Sequence, residues 1–91
     1  MDEQVVRGNV RKLIEQLAPV RDVEISPSTE LGVDLGYESL RLMELATALE
    51  DHFNLDEITE DDAAEADTVG EVEELVVRLV SEQRVASEAS A

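Results

Sequence analysis

The chain contains no cysteine and no tryptophan, and Tyr37 and Phe53 are its only aromatic residues. Without cysteine there is no disulfide framework, no thiolate metal site and no thiol nucleophile of the protein's own, so any sulfur chemistry must be imported. With so few rings, the core has to be built from Leu, Val, Ile, Ala and Met. Basic residues are also scarce: seven stand against 23 acidic ones, for a formal charge of −16. That balance repels nucleic-acid phosphates and anionic lipid headgroups and favours basic protein partners, so neither nucleic acid nor membrane is expected to bind. No apolar run approaches the roughly 18 residues of a spanning helix. The opening MDEQVVRGNV lacks the basic and apolar segments of a signal peptide, so the expected location is cytoplasmic.

Ninety-one residues suit one domain, because a chain half as long seldom buries enough apolar surface to fold unaided. The two prolines and three of the four glycines fall at or after residue 19, and the helical patterns lie around them. Val6, Val10, Leu13 and Leu17 step by four, three and four, which predicts a helix from about Glu3 to Ala18, stopped by Pro19. Arg7, Arg11, Lys12 and Glu15 are expected on its solvated side. Residues 19–38 hold Pro19, Pro27, Gly32 and Gly36 and show no sustained period, so they read as a long loop. Val23, Ile25, Leu31, Val33 and Leu35 are its expected apolar anchors, with a short turn near Ser28 to Leu31.

Leu42, Ala46, Leu49 and Phe53 repeat the same stepping and predict a second helix over Ser39 to Phe53. Thr59, three residues before Asp62, marks a brief third helix to about Ala64. Thr68 with Glu71 matches a capping box, and Val69, Val72, Val76 and Leu79 form the stripe of a fourth helix to about Gln83. Amphipathic helices must cover one another's stripes, so the expected fold is all-α: a small antiparallel four-helix bundle, three helices long and the third short, with a long loop between the first two. The domain is expected over residues 1–84 and a flexible tail over 85–91.

Few residues offer chemistry. The lone histidine, His52, lies about 20 Å along the second helix from Ser39, at about 1.5 Å per residue, so a Ser-His couple is not expected, and no catalytic residue is assigned. The acidic DEITEDDAAEAD lacks the central glycine and ligand spacing of a calcium loop, so no metal site is expected. Gly32 and Gly36 precede no Lys-Ser/Thr pair and are not a phosphate-binding loop. Ser39 stands apart. A serine at a helix start is ordinarily an N-cap whose oxygen accepts a backbone N–H. The same place gathers unpaired amides and the positive end of the helix dipole, which also suits a phosphate ester on the hydroxyl.

The stretch DLGYESLRLMELATALEDHF resembles the modification motif of acyl carrier proteins, whose Gly-x-Asp-Ser-Leu core opens the second helix of a four-helix bundle. LDEITEDD is similar to the family's acidic third-helix segment and ADTVGEVEELVVRLV to its Thr-Val-led fourth helix. The resemblance covers about Glu30 to Val80. It implies that a phosphopantetheinyl transferase installs 4'-phosphopantetheine from coenzyme A on Ser39, and that acyl intermediates ride on the arm's thiol. It further implies a monomeric, non-catalytic carrier visiting an acyltransferase, a ketosynthase and other enzymes with basic docking surfaces, recognised through Glu38, Leu40, Met43, Glu44, Glu50 and Asp51. For Leu40 and Met43, core packing is an equal alternative, and for the acids, mere solubility.

Two departures matter. Glu38 stands where the family usually has Asp, a residue associated there with the metal and phosphate chemistry of transfer. Arg41 replaces an acid common in fatty-acid carriers. The Gly-Tyr-acid-Ser-Leu-x-Leu-Met-Glu pattern is most similar to discrete carriers of bacterial aromatic polyketide synthases. Fatty-acid and aminoacyl or peptidyl carriers remain alternatives, as does an acidic DNA mimic needing no modification at Ser39. A charge of −16 on so small a domain opposes compaction, so the melting temperature is expected to rise with salt or millimolar divalent ions. A thermal melt indifferent to ionic strength contradicts this.

Overall fold

The computed structural model describes residues 2–90, with side chains described through Arg84; the tail expected at residues 85–91 lies outside the residues described in full. Four helices follow one another: α1 (Glu3–Leu17), α2 (Ser39–Phe53), α3 (Glu60–Ala64) and α4 (Val69–Ser90). Local chemistry sets their starts. Asp2 caps α1 by accepting from the Gln4 amide at 2.9 Å. Thr59 and Asp62 form a reciprocal capping box on α3, and Thr68 and Glu71 do the same on α4, at 3.2 and 3.0 Å. α1 stops at Leu17 because Ala18, preceding Pro19, takes an extended conformation. α2 stops at Asn54, which sits in the left-handed region at φ 54°.

The core runs along rows of every fourth residue. α1 buries Val6, Val10 and Ile14, with Ala18 continuing the line, and Leu13 and Leu17 only flank it. α2 buries Leu45, Leu49 and Phe53, whereas Leu42 is exposed and Ala46 half-buried. Ile14 and Leu45 thus take places the stepped pattern gave to neighbours, because helices interlock through ridges of residues four apart rather than along a straight stripe. On α4, Val69, Val72 and Val76 are buried as expected, joined by Leu75, while Leu79 is half-buried.

α1 packs against both α2 and α4. α2 and α4 start at one end and finish at the other. Leu31 donates to Asp67 O at 2.9 Å and accepts from the Tyr37 amide at 3.0 Å at the first end. Gln83 donates to Asn54 O at 2.6 Å and accepts from the Asp56 amide at 3.2 Å at the second. α3 contributes no buried residue and is tied to α4 by Arg78, 3.3 Å from Asp62. Among the described residues, no helix is long and apolar enough to cross a membrane.

Arg7 and Arg11 are not merely solvated. Glu73 of α4 is 2% exposed, and its carboxylate is clamped by Arg11, through Nη2 at 2.9 Å and Nε at 3.1 Å, and by Arg7 Nη1 at 3.4 Å. The clamp fixes the register of α1 on α4. Burying a carboxylate is costly unless it is paired and hydrogen-bonded, and the two guanidinium groups supply that pairing.

The segment between α1 and α2 is part of the core. Leu31 and Leu35 are buried and Ile25 half-buried, but Val33 is 80% exposed and Val23 is also exposed, so neither is an anchor. Turns lie at residues 27–28 and 31–35. The loop carbonyls of Thr29 and Pro27 accept from the Val69 and Gly70 amides, each at 2.9 Å, satisfying donors that the first turn of α4 would otherwise leave unpaired. A side chain at Gly70 would put its Cβ 2.9 Å from Pro27 O, so glycine permits this approach. Gly36 has φ +77° and meets Val20 Cγ2 at 2.9 Å from where a Cβ would sit, which constrains it twice over.

The loop returns to α1 at Tyr37. Its buried phenol donates to Ile14 O at 2.7 Å, one of the last carbonyls of α1. Arg21 covers the next two, Glu15 O at 3.4 Å and Gln16 O at 3.2 Å. Burial pushes the Tyr37 phenol up to about 12, against the opposing charges of Arg41 and Arg21.

Two outcomes follow from these contacts. Glu73→Gln is expected to destabilise the fold by about 1–3 kcal/mol, against little change for the exposed neighbour in Glu74→Gln, as measured by denaturant unfolding. Because the folded pKa of Tyr37 lies above the unfolded value of about 10, the neutral phenol's contribution is fully present below about pH 10 and is lost as pH rises toward 12. Tyr37 is the single tyrosine, so phenolate absorbance reads it directly; a midpoint near the ordinary value in folded protein contradicts the assignment.

Candidate functional site

Ser39 is the first residue of α2, and the N-cap is Glu38, in an extended conformation with φ −112° and ψ 172°. The capping role expected of the Ser39 hydroxyl is not found: no side chain caps α2, and Ser39 Oγ has no hydrogen-bond partner among the described residues. Its side chain is exposed. α1, α3 and α4 each begin under a side-chain cap, so α2 differs from the other three. Its leading amides and the positive end of its dipole therefore face outward beside a free hydroxyl. A phosphate ester on Ser39 fits there without displacing any contact.

Position follows from the loop. Tyr37, two residues before Ser39, is fastened by its amide to Leu31 O and by its phenol to Ile14 O. Gly36 turns the chain under Val20, where the Val20 amide donates to Leu35 O at 3.0 Å. Leu35 and Tyr37 point inward and are buried; Glu38, Ser39 and Leu40 emerge exposed. The serine is held by its neighbours rather than by itself.

The other site residues divide. Leu40 is 71% and Met43 66% exposed, so neither packs in the core, and both flank Ser39. Glu44 is exposed and accepts from Arg41 Nη1 at 3.0 Å. Asp51 is exposed. Glu50 is half-buried, and its Oε2 accepts from the Ile58 amide at 2.7 Å, holding the link between α2 and α3. His52 lies at the opposite end of α2 from Ser39, edge-on to Phe53 with ring centroids 4.8 Å apart.

Val33, expected as an apolar anchor of the loop, is exposed instead, and the pairing of Arg41 with Glu44 was not foreseen, although its i, i+3 spacing was an available signal. Sequence reasoning also did not show two concavities. An open depression of about 340 Å³ beside Ser39 is lined by Pro19, Gly36, Glu38, Leu40, Arg41 and Glu44. A small apolar seam of about 50 Å³ lies between α2 and α3, with Leu42, Ala46, Ile58 and Ala63 among its walls. Among the described residues, no three His, Cys, Asp or Glu side chains converge as a metal site.

Residues 9–76 fit the family described as the phosphopantetheine attachment site. The chain is also 31% identical over 87 residues to the meromycolate extension acyl carrier protein of Mycobacterium leprae (strain TN), covering 96% of this chain and 74% of that protein. A four-helix fold, with a free hydroxyl at the one helix start that lacks a side-chain cap among the described residues, stands beside a family match across most of the chain: the chain belongs to the phosphopantetheine-binding acyl carrier proteins and takes 4'-phosphopantetheine as its covalent cofactor.

Proposed function

We propose that Ser39 is the attachment residue, and that the protein is a non-catalytic, monomeric carrier moving acyl intermediates between cytoplasmic enzymes of polyketide assembly. The observation that carries this reading is the exposed, unbonded Ser39 hydroxyl at the only helix start lacking a side-chain cap among the described residues. In loading, Ser39 Oγ forms a phosphodiester with the phosphopantetheine phosphorus as the pyrophosphate bond of coenzyme A breaks; adenosine 3',5'-bisphosphate leaves and the serine proton passes to the transferase. The bound arm supplies a terminal thiol on which acyl groups are carried as thioesters. The chain's own residues hold the serine at the helix start and present a docking surface.

Leu40 and Met43 provide apolar contacts beside the arm, and Glu38, Glu44 and Asp51 meet Arg and Lys of the transferase, acyltransferase and ketosynthase. Exposed pairs of this kind are worth about 0–1 kcal/mol each, which suits a carrier that must leave every partner. Glu50 joins this set with one oxygen already engaged. The seam between α2 and α3, at about 50 Å³, is far below the roughly 300 Å³ of an ordinary ligand pocket, so an extended cargo stays outside it in this conformation.

The Gly36–Tyr37–Glu38–Ser39–Leu40 run with Leu42, Met43 and Glu44 supports the polyketide assignment. A second reading, a carrier for fatty-acyl chain extension, is favoured by the relative named for meromycolate extension. The nucleic-acid mimic has only the net charge in its favour.

Incubation with coenzyme A and a broad-specificity phosphopantetheinyl transferase, followed by intact-mass measurement, tests the attachment. The wild type is expected to gain one phosphopantetheine and Ser39→Ala none. Glu38→Asp is expected to load a few-fold faster, since it restores the shorter carboxylate. No gain by the wild type with a transferase active on a control carrier, or a gain retained by Ser39→Ala, contradicts the proposal.

A further inference from the structure

From residue 22 to residue 77 the chain carries eighteen carboxylates and a single Lys or Arg, and that residue is Arg41. It stands two positions beyond Ser39 in the first turn of α2, where the helix dipole is positive and a cation is disfavoured. Helix stability therefore does not account for it; an acid would serve α2 better. Among the described residues its side chain pairs with Glu44 Oε2 at 3.0 Å, and both side chains are close to half exposed. An exposed pair of this kind is weak and readily exchanged.

The pair lies on the rim of the depression beside Ser39. Pro19, Gly36 and Leu40 supply its less polar part, and Glu38, Arg41 and Glu44 its charges. Along the sequence these charges alternate, negative, positive, negative, whereas the titratable residues of α2 beyond them are two acids, Glu50 and Asp51, and His52. A protein surface seated here meets a mixed pattern next to the modified serine and an acidic one farther along.

We infer that Arg41 selects partners. It admits enzymes whose docking face offers a carboxylate to its guanidinium beside the base that meets Glu44, and it disfavours enzymes whose face is uniformly basic. With the first kind, Glu44 leaves Arg41 for the partner's Arg or Lys while Arg41 takes the partner's carboxylate, so no ion is left unpaired. With the second, Arg41 faces like charge as water is excluded, a repulsive element of the kind that sets specificity. This rests on Ser39 being the attachment residue.

A broad-specificity phosphopantetheinyl transferase with a basic carrier-docking face is the probe, and kcat/KM for loading from coenzyme A is measured at low and high salt. Arg41→Glu is expected to raise kcat/KM about five- to tenfold at low salt, an advantage that shrinks as salt rises. Arg41→Lys is expected to match the wild type. Arg78→Glu changes the net charge equally on α4, away from the site, and is expected to stay within about twofold of the wild type. In a second arm, each Arg or Lys of the probe's docking face is reversed singly to Glu. At least one reversal is expected to favour the wild-type chain while penalising Arg41→Glu. Equal loading of wild type and Arg41→Glu, an equal gain in Arg78→Glu, or no such inversion overturns the inference. Failure of the wild type to load at all overturns the attachment reading and this inference with it.

Discussion

Backbone hydrogen bonds between the loop of residues 19–38 and the start of α4 determine where Ser39 can stand. Leu31 donates to Asp67 O, while Val69 and Gly70 donate to Thr29 O and Pro27 O. The exchange serves both sides, because the first amides of α4 need acceptors and a buried loop needs partners for its own polar groups. Leu31 then accepts from Tyr37, whose phenol reaches back to the end of α1. One short chain of contacts thereby joins α4, the loop, α1 and the residue two before Ser39. A linker of the same length without them would let α2 begin anywhere its periodicity allowed.

The distribution of charge follows a similar division. Glu73 is buried and takes two of the seven cations, Arg7 and Arg11, to hold α1 on α4. Arg21 is spent on the carbonyls ending α1, and Arg78 on Asp62 and Glu82. Little positive charge remains for α2 and the segment after it, which therefore present acids to solvent. The negative surface is thus partly a result of where the few cations are needed for folding. That surface suits brief encounters with basic enzymes, since exposed ion pairs steer association more than they bind.

Helix boundaries were legible because they are written locally. Thr59 with Asp62 and Thr68 with Glu71 announce their helices, and Pro19 ends the first. Ile14 and Leu45 were missed because the buried line is chosen by the neighbouring helix, which no single helix's periodicity contains. The Glu73 clamp was illegible for the same reason: it exists only at one register of α1 on α4. Val33 looked like an anchor by its type, yet the turn at residues 31–35 points it outward. At the site, the motif around Ser39 was readable as a family resemblance. That its hydroxyl would be left free, with Glu38 in the capping position, depends on the loop's path and had no local signature.

The central claim is that the loop belongs to the cooperative core and so fixes the serine. Native-state hydrogen exchange at the amides of Leu31, Tyr37, Val69 and Gly70 tests it most directly. These four are expected to open only with the unfolding that exposes the amides of Val10 and Val76, with matching free energies and denaturant dependence. Exchange at Leu31 and Tyr37 as fast as in an unstructured peptide, while Val10 and Val76 stay protected, would contradict the account.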